Sequence, residues 1–241
     1  MLEGGLDQAA GLRTRAAPPL GLMAFPLPPH GAQPWIAQIA HALCALGRRP
    51  LVVDAARGAV VRAFNMRPRH DLLDLLEGRL EFDDVAVGTP DGVWVLGADR
   101  GVEAFAASGE SPARLLGAFS RLQRNFDDLL LAMPADELAC LADPEEAVPV
   151  VSLFPGAGGM VQAYGTVKQL AEGFGFRRFA CVVHGAEHEP EARADHARLA
   201  GAAQRFLGAE VRLAGSLHAQ GVFPLRLVAQ QLLETAATPL H

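Results

Sequence analysis

Lysine is nearly absent from this chain. Of its 21 basic residues only Lys168 carries an amine. A reaction that needs a mobile ammonium group therefore has one candidate, far along the chain. There is no excess of positive charge either. The formal net charge is −6, which argues against a nucleic-acid footprint. No apolar run approaches the roughly 18 residues that a membrane-spanning helix needs. The opening MLEGGLDQAAGLR is acidic and lacks an apolar core, whereas a secretory signal begins basic and then turns apolar. These absences predict a cytoplasmic protein with no nucleic-acid partner and no stable membrane insertion. Cysteine is sparse. Cys44, Cys140 and Cys181 lie far apart in apolar surroundings, as reduced core thiols do.

What is present is a globular chain of 241 residues, half of them hydrophobic and 20% charged. That length suits one sizeable domain burying roughly 70–75% of its unfolded surface. Residues 1–19 read as an arm. Leu6, Ala9, Ala10 and Arg13 fall on one side of a short helix, and Ala16-Ala17-Pro18-Pro19 forms a stiff linker. From residue 20 onward strands and helices alternate. Strands are expected at 20–25, 50–54, 92–97, 128–133, 148–154, 179–184 and 211–214. Helices are expected at 34–46, 71–78, 80–87, 112–126, 160–174, 187–207 and 221–235. This alternation predicts an α/β fold: a doubly wound, mostly parallel sheet with helices on both faces, as one domain over 20–241.

The stretch from Leu20 to Ala55 organises the rest. It reads as strand, loop, amphipathic helix and second strand ending in Asp54. In such a unit the loop after the first strand holds phosphates. A phosphate cradle needs consecutive backbone N–H groups, several glycines, a lysine and a Ser or Thr for magnesium. Here the loop runs Pro26-Leu27-Pro28-Pro29-His30-Gly31-Ala32-Gln33. Three prolines remove three donors. One glycine remains, with no lysine and no hydroxyl.

The order of elements resembles the MinD/ParA family of deviant-Walker ATPases, whose loop reads SGKGGVGKTT, followed by NLAxALAxxGxxVLLxDAD. Here Phe25 to Pro34 occupies the first pattern and QIAHALCALGRRPLVVDAA the second. Three later stretches are similar to the branch of flagellar-number regulators called FlhG or FleN. They are Asp71-Leu-Leu-Asp-Leu-Leu-Glu-Gly-Arg-Leu, Ala163-Tyr164-Gly165-Thr166-Val167-Lys168-Gln169-Leu170, and Ala203 to Gly208. That branch often carries an N-terminal DQAxxLR motif, matched here by Asp7, Gln8, Ala9, Leu12 and Arg13. In the family the motif activates FlhF, a GTPase of the signal-recognition-particle type.

The departures fall on the chemistry. The resemblance aligns the P-loop lysine with Ala32, beside Gly31, and the signature lysine with Leu27. It aligns the magnesium threonine with Gln33 and the adenine-reading Asn with His184. Asp54 keeps the first acid of DAD, Ala56 replaces the second, and Ala132 replaces the magnesium-side carboxylate. Phosphoryl transfer is positioning plus charge stabilisation, so the expectation is a pseudo-ATPase with no catalytic residue, no metal and no cofactor, ATP and magnesium entering only if the family function survives. The resemblance implies an FlhF-type GTPase as partner, with flagellar switch proteins or a flagellar transcription regulator as further ones, and recruitment to the cell pole or flagellar base. Two alternatives stay open: an active MinD/ParA-like ATPase with an unorthodox site, and a MinD-like scaffold for pilus placement or cellulose secretion.

Other constellations read as structural. His184, His188 and His196 stand among acids, but Pro190 interrupts the helical spacing that a metal pair needs. Asp127-Asp128 reads as a strand-edge turn. Gly156 to Gly159 reads as a flexible loop. The closing helix at 221–235 has Arg226 as its only basic residue, so it is expected to pack on the sheet rather than lie on a membrane.

Overall fold

The computed structural model describes residues 20–27, 33–217 and 223–240; the residues of the arm, the centre of the first loop and the segment before the last helix lie outside it. Asp7, Gln8, Ala9, Leu12, Arg13, Gly31 and Ala32 are therefore outside the described residues.

Continuous apolar runs produce the central strands. β1 (Leu20–Leu27), β2 (Pro50–Asp54) and β5 (Asp128–Pro134) are buried along almost their whole length, as strands covered on both faces must be. β4 (Trp94–Gly97) runs parallel to β2, and the two-residue β3 (Val87–Gly88) pairs antiparallel at the edge. With β9 (Thr238–Leu240) they give the order β3-β4-β2-β5-β1-β9. A second parallel sheet holds β6 (Val150–Leu153), β7 (Arg178–His184) and β8 (Glu210–Leu217) in sequence order.

The sheet expected to be continuous is thus divided between β1 and β6. β9 takes the edge of β1 at Leu20–Leu22, running antiparallel. β6 lies beside β1 without a ladder among the described residues.

Helices cover both faces. α1 (Pro34–Ala45) starts at a proline, where the missing N–H costs nothing. Its Ile36, Ile39 and Leu43 are fully buried against Met23, Phe25, Val52 and Leu130. Each contributes about 1.5–3 kcal/mol of burial. α9 (Phe223–Thr235) shares that core through Val228 and Leu232, as the composition of its apolar face predicts. On the other face lie α2 (Leu72–Leu76), α3 (Phe82–Val85), α4 (Asp99–Ser108) and α5 (Pro112–Ser120). α6 (Ala135–Leu141), α7 (Gly156–Phe174) and α8 (Glu189–Leu207) enclose the second sheet.

Several sequence expectations are corrected. α4 and α6 lie where no element is expected. α4 presents only Gly101, Val102 and Phe105 as buried positions, too sparse a stripe to read. It is held instead by Asp71, which accepts from Leu73 N in its own helix and from Arg100 N and Gly101 N of α4. One carboxylate thus caps two helices. Gly156 to Gly159 is not a loop but the first turn of α7. Gly159 is there because a Cβ would stand 2.0 Å from the Phe154 carbonyl oxygen. Helix 112–126 ends at Ser120 and continues as a 3-10 turn. Cys140 is exposed rather than in the core, whereas Cys181 is buried and burial pushes its thiol up to about 12.

Asp127-Asp128 is also more than a turn. Asp128 opens β5 fully buried, with Arg48 Nη2 at 2.6 Å and Arg48 Nε at 2.8 Å. Arg49 pairs with the exposed side of Asp127 at 2.9 Å. Arg48 and Arg49, just past the end of α1, therefore fasten α1 and β2 to β5.

Candidate functional site

The carboxyl ends of β1, β2, β5, β6 and β7 meet along one edge, where open α/β sheets bind ligands. Asp54 ends β2 there and is 1% exposed. Its Oδ1 accepts from Ala56 N at 3.0 Å, and its Oδ2 accepts from Val60 N at 2.8 Å and Val61 N at 2.7 Å. The side chain therefore folds the segment after β2 back on itself. Ala56 supplies a backbone donor to this turn, and its methyl group has no chemistry of its own.

The turn passes its constraint to the first loop. Its Ala59 carbonyl accepts from Gln33 N at 3.1 Å. That amide is then spent inside the protein. The Gln33 side chain is spent as well, since Oε1 accepts from the Trp35 indole at 2.9 Å and the residue is 4% exposed. Trp35 meets Phe25 edge-on at 5.4 Å between centroids and His184 at 5.1 Å. His184 in turn stacks on Phe154 at 4.4 Å. Leu27 and Ala132 complete the apolar lining, at 4% and 0% exposed. In register, Ala132 lies opposite both Phe25 and Asp54.

His184 is unusual within this cluster. Its Nε2 is buried with no hydrogen-bond partner. Burial pushes its pKa down to about 4, so the ring is neutral at pH 7. His196, read beside it as a possible ligand, instead bonds the Val211 carbonyl at 2.9 Å. Among the described residues no group of three His, Cys, Asp or Glu side chains is placed to hold a metal ion.

Acidic groups gather a little further along. Arg57, at φ 55°, donates its backbone N–H to Asp99 at 2.6 Å. Burial raises the Asp99 carboxyl, and neighbouring Asp54 and Asp71 add to it. Glu137, at the start of α6, is pushed up to about 7, chiefly by burial and then by Asp136, Asp99 and Glu103. A cleft of about 650 Å³ lies against Leu27, Arg57, Asp136, Glu137, Gln162 and Thr166.

The fold places Leu27, Gln33, Asp54, Ala56, Ala132 and His184 along this edge. A bound magnesium ion needs free hard oxygen ligands. Here the Asp54 oxygens and the Gln33 oxygen are already engaged, and Ala132 has none to offer. None of these six residues presents magnesium with a side-chain oxygen that has not already made a hydrogen bond. Reading the sequence for missing chemistry overlooked what fills the space, namely Phe25, Trp35 and Phe154. The signal was present, because Phe25 stands where the family loop begins with Ser.

No protein-family model matches the chain. Among solved structures, the MinD cell division protein of Aquifex aeolicus superposes with a TM-score of 0.61 at 18% identity, covering 91% of this chain and 98% of that one. A ParA family ATPase from Chlorobium tepidum gives 0.54 at 12% identity, covering 91% and 96%. The fold is that of the MinD/ParA-type P-loop ATPases.

The chain is also similar to the antiactivator FleN of Pseudomonas aeruginosa, 30% identical over 184 residues and 73% of this chain. It spans 65% of the length of that relative.

Proposed function

We propose that the chain is an FlhG-like regulator of flagellar number or placement that acts by binding, as a pseudo-ATPase without a nucleotide switch of its own. One observation carries the first half of this reading: both Asp54 oxygens are consumed by three backbone amides of the protein itself. In an ATPase that edge must offer its acids and amides to magnesium and phosphate. Here its hydrogen bonds close on one another, and aromatic rings line the rest. Homology to an antiactivator supports a regulatory role. The family motif at Asp7, Gln8, Ala9, Leu12 and Arg13 supports an FlhF-type GTPase as the partner. Gln8 would orient the attacking water, a task that Gln performs in other GTPases, and Arg13 would anchor the arm or add charge. The protein would work in the cytoplasm and be recruited to the pole or flagellar base. No helix among the described residues is long and apolar enough to cross a membrane.

Two measurements test this. Calorimetric titration of the full chain with Mg-ATP is expected to show no saturable heat, and micromolar affinity would overturn the pseudo-ATPase reading. GTP hydrolysis by the cognate FlhF-type protein is expected to rise severalfold with the full chain and with a peptide of residues 1–19. Gln8→Ala is expected to remove that stimulation. If all three leave turnover unchanged, the arm is not a GTPase activator.

A further inference from the structure

A second concavity, with an apolar floor, lies away from the nucleotide edge. It is a groove of about 640 Å³ between α2, α3, α4 and α5. Leu76, Phe82, Phe105, Phe119 and Leu122 line it, and Leu76 at its mouth is 42% exposed. Glu77, Glu81, Glu110, Arg114 and Arg121 also line it, with Glu77 paired to Arg79 and Glu110 to Arg114. Within the chain, 19 residues precede β1, and they carry Leu2, Leu6, Ala9 and Ala10 at helical spacing, followed by Arg13 and Arg15.

We infer that this groove is the seat of the chain's own residues 2–13, which dock there as a helix when no partner holds them. This deepens the functional reading above and rests on its view of the arm as a helical element. Three observations support the assignment. The tether ends in the right place, because Leu20 is fully buried in the same cluster as Leu72, Phe105, Leu115 and Phe119. Gly21 N also bonds the Asp127 carbonyl, just beyond the 3-10 turn that continues α5. The reach is sufficient, since residues 14–19 extended span up to about 20 Å, whereas a helix such as α5 is only about 10 Å across. The chemistry matches, with an apolar stripe for an apolar floor and an arginine following it for Glu81, while Glu77 is paired with Arg79.

An isolated helix this short is marginal in water, so a docked form and a partner-bound form are its two ordered states. Docking in cis withholds Gln8 from the GTPase until the partner competes for the arm. The groove then sets how readily the protein acts.

Hydrogen exchange on the full-length protein separates this from the GTPase question. Amides of α2 and α5 are expected to exchange about tenfold faster in Leu6→Asp and in a variant lacking residues 2–15 than in the wild type, at every protein concentration. Leu6→Asp changes a residue that precedes β1, and an unchanged denaturant midpoint separates lost docking from lost fold. Leu76→Asp should reproduce the effect from the groove side. Equal exchange in wild type and Leu6→Asp would overturn the inference. Protection that fades on dilution would overturn it too, by showing that the arm of a second copy sits there. Protection without any GTPase stimulation would leave the docking standing and remove only the activator role.

Discussion

Asp54→Ala should destabilise this protein by about 3 kcal/mol or more. Three buried amides, of Ala56, Val60 and Val61, lose their only side-chain acceptor. Each buried donor left unsatisfied costs about 1–3 kcal/mol. Partial relaxation toward water lowers the sum, but the site is 1% exposed, so little water reaches it. Asp54→Asn should cost about half as much, because one oxygen can still serve Val60 and Val61 while the amide group faces Ala56 N. The measurement is the denaturant midpoint at constant slope. The outcome discriminates between readings of the edge. A carboxylate reserved for catalysis is held against the interests of stability, so its removal is usually neutral or stabilising to the fold. A structural cap shows the reverse. An Asp54→Ala protein as stable as the wild type would mean that the carboxylate is available for other work, and the closed hydrogen-bond circuit would not describe the protein in solution.

The same residue shows how far the sequence could be read. Its place at the end of a buried strand was legible from Leu51-Val52-Val53, and the alignment set it opposite the other site positions. Its partners were not legible, since backbone amides six and seven residues away leave no mark in the residue types. The doubly wound order followed from periodicity, but the break between β1 and β6 did not. A three-residue strand at the end of the chain, Thr238–Leu240, occupies the edge of β1, and so short a strand gives no pattern. α4 escaped for a related reason: its stability rests on Asp71 and on the close approach of Gly101 to Leu72 rather than on an apolar stripe. A Cβ on Gly101 would lie 2.6 Å from that of Leu72. At the site, absences such as the missing lysines were visible at once. The aromatic filling was not, because Phe25, Trp35 and His184 come from three separate elements and Phe154 from the loop after β6, and only folding brings them into contact.

The opposite end of the sheet gives the second large effect. Arg48→Ala should cost about 3–5 kcal/mol, the range for breaking a buried ion pair from one side. The two charges are not equally placed. The Asp128 side chain is 0% exposed and the Arg48 side chain 33%. The cost therefore lies in the carboxylate left behind without its two guanidinium bonds, while the lost arginine was partly solvated already. The site was also shaped for that carboxylate, since a Cβ on Gly21 would stand 3.0 Å from Asp128 Oδ1. Arg49→Ala is the control, for its pair with Asp127 is on the surface and is worth about 0–1 kcal/mol. Replacing both partners, Arg48→Met with Asp128→Leu, should recover most of the loss, because no buried charge then remains. A double-mutant cycle read from urea denaturation measures this coupling. If Arg48→Ala and Arg49→Ala cost the same, burial is not what separates the two pairs. If the double replacement is no better than Arg48→Ala alone, the arginine acts mainly through its packing rather than through the carboxylate.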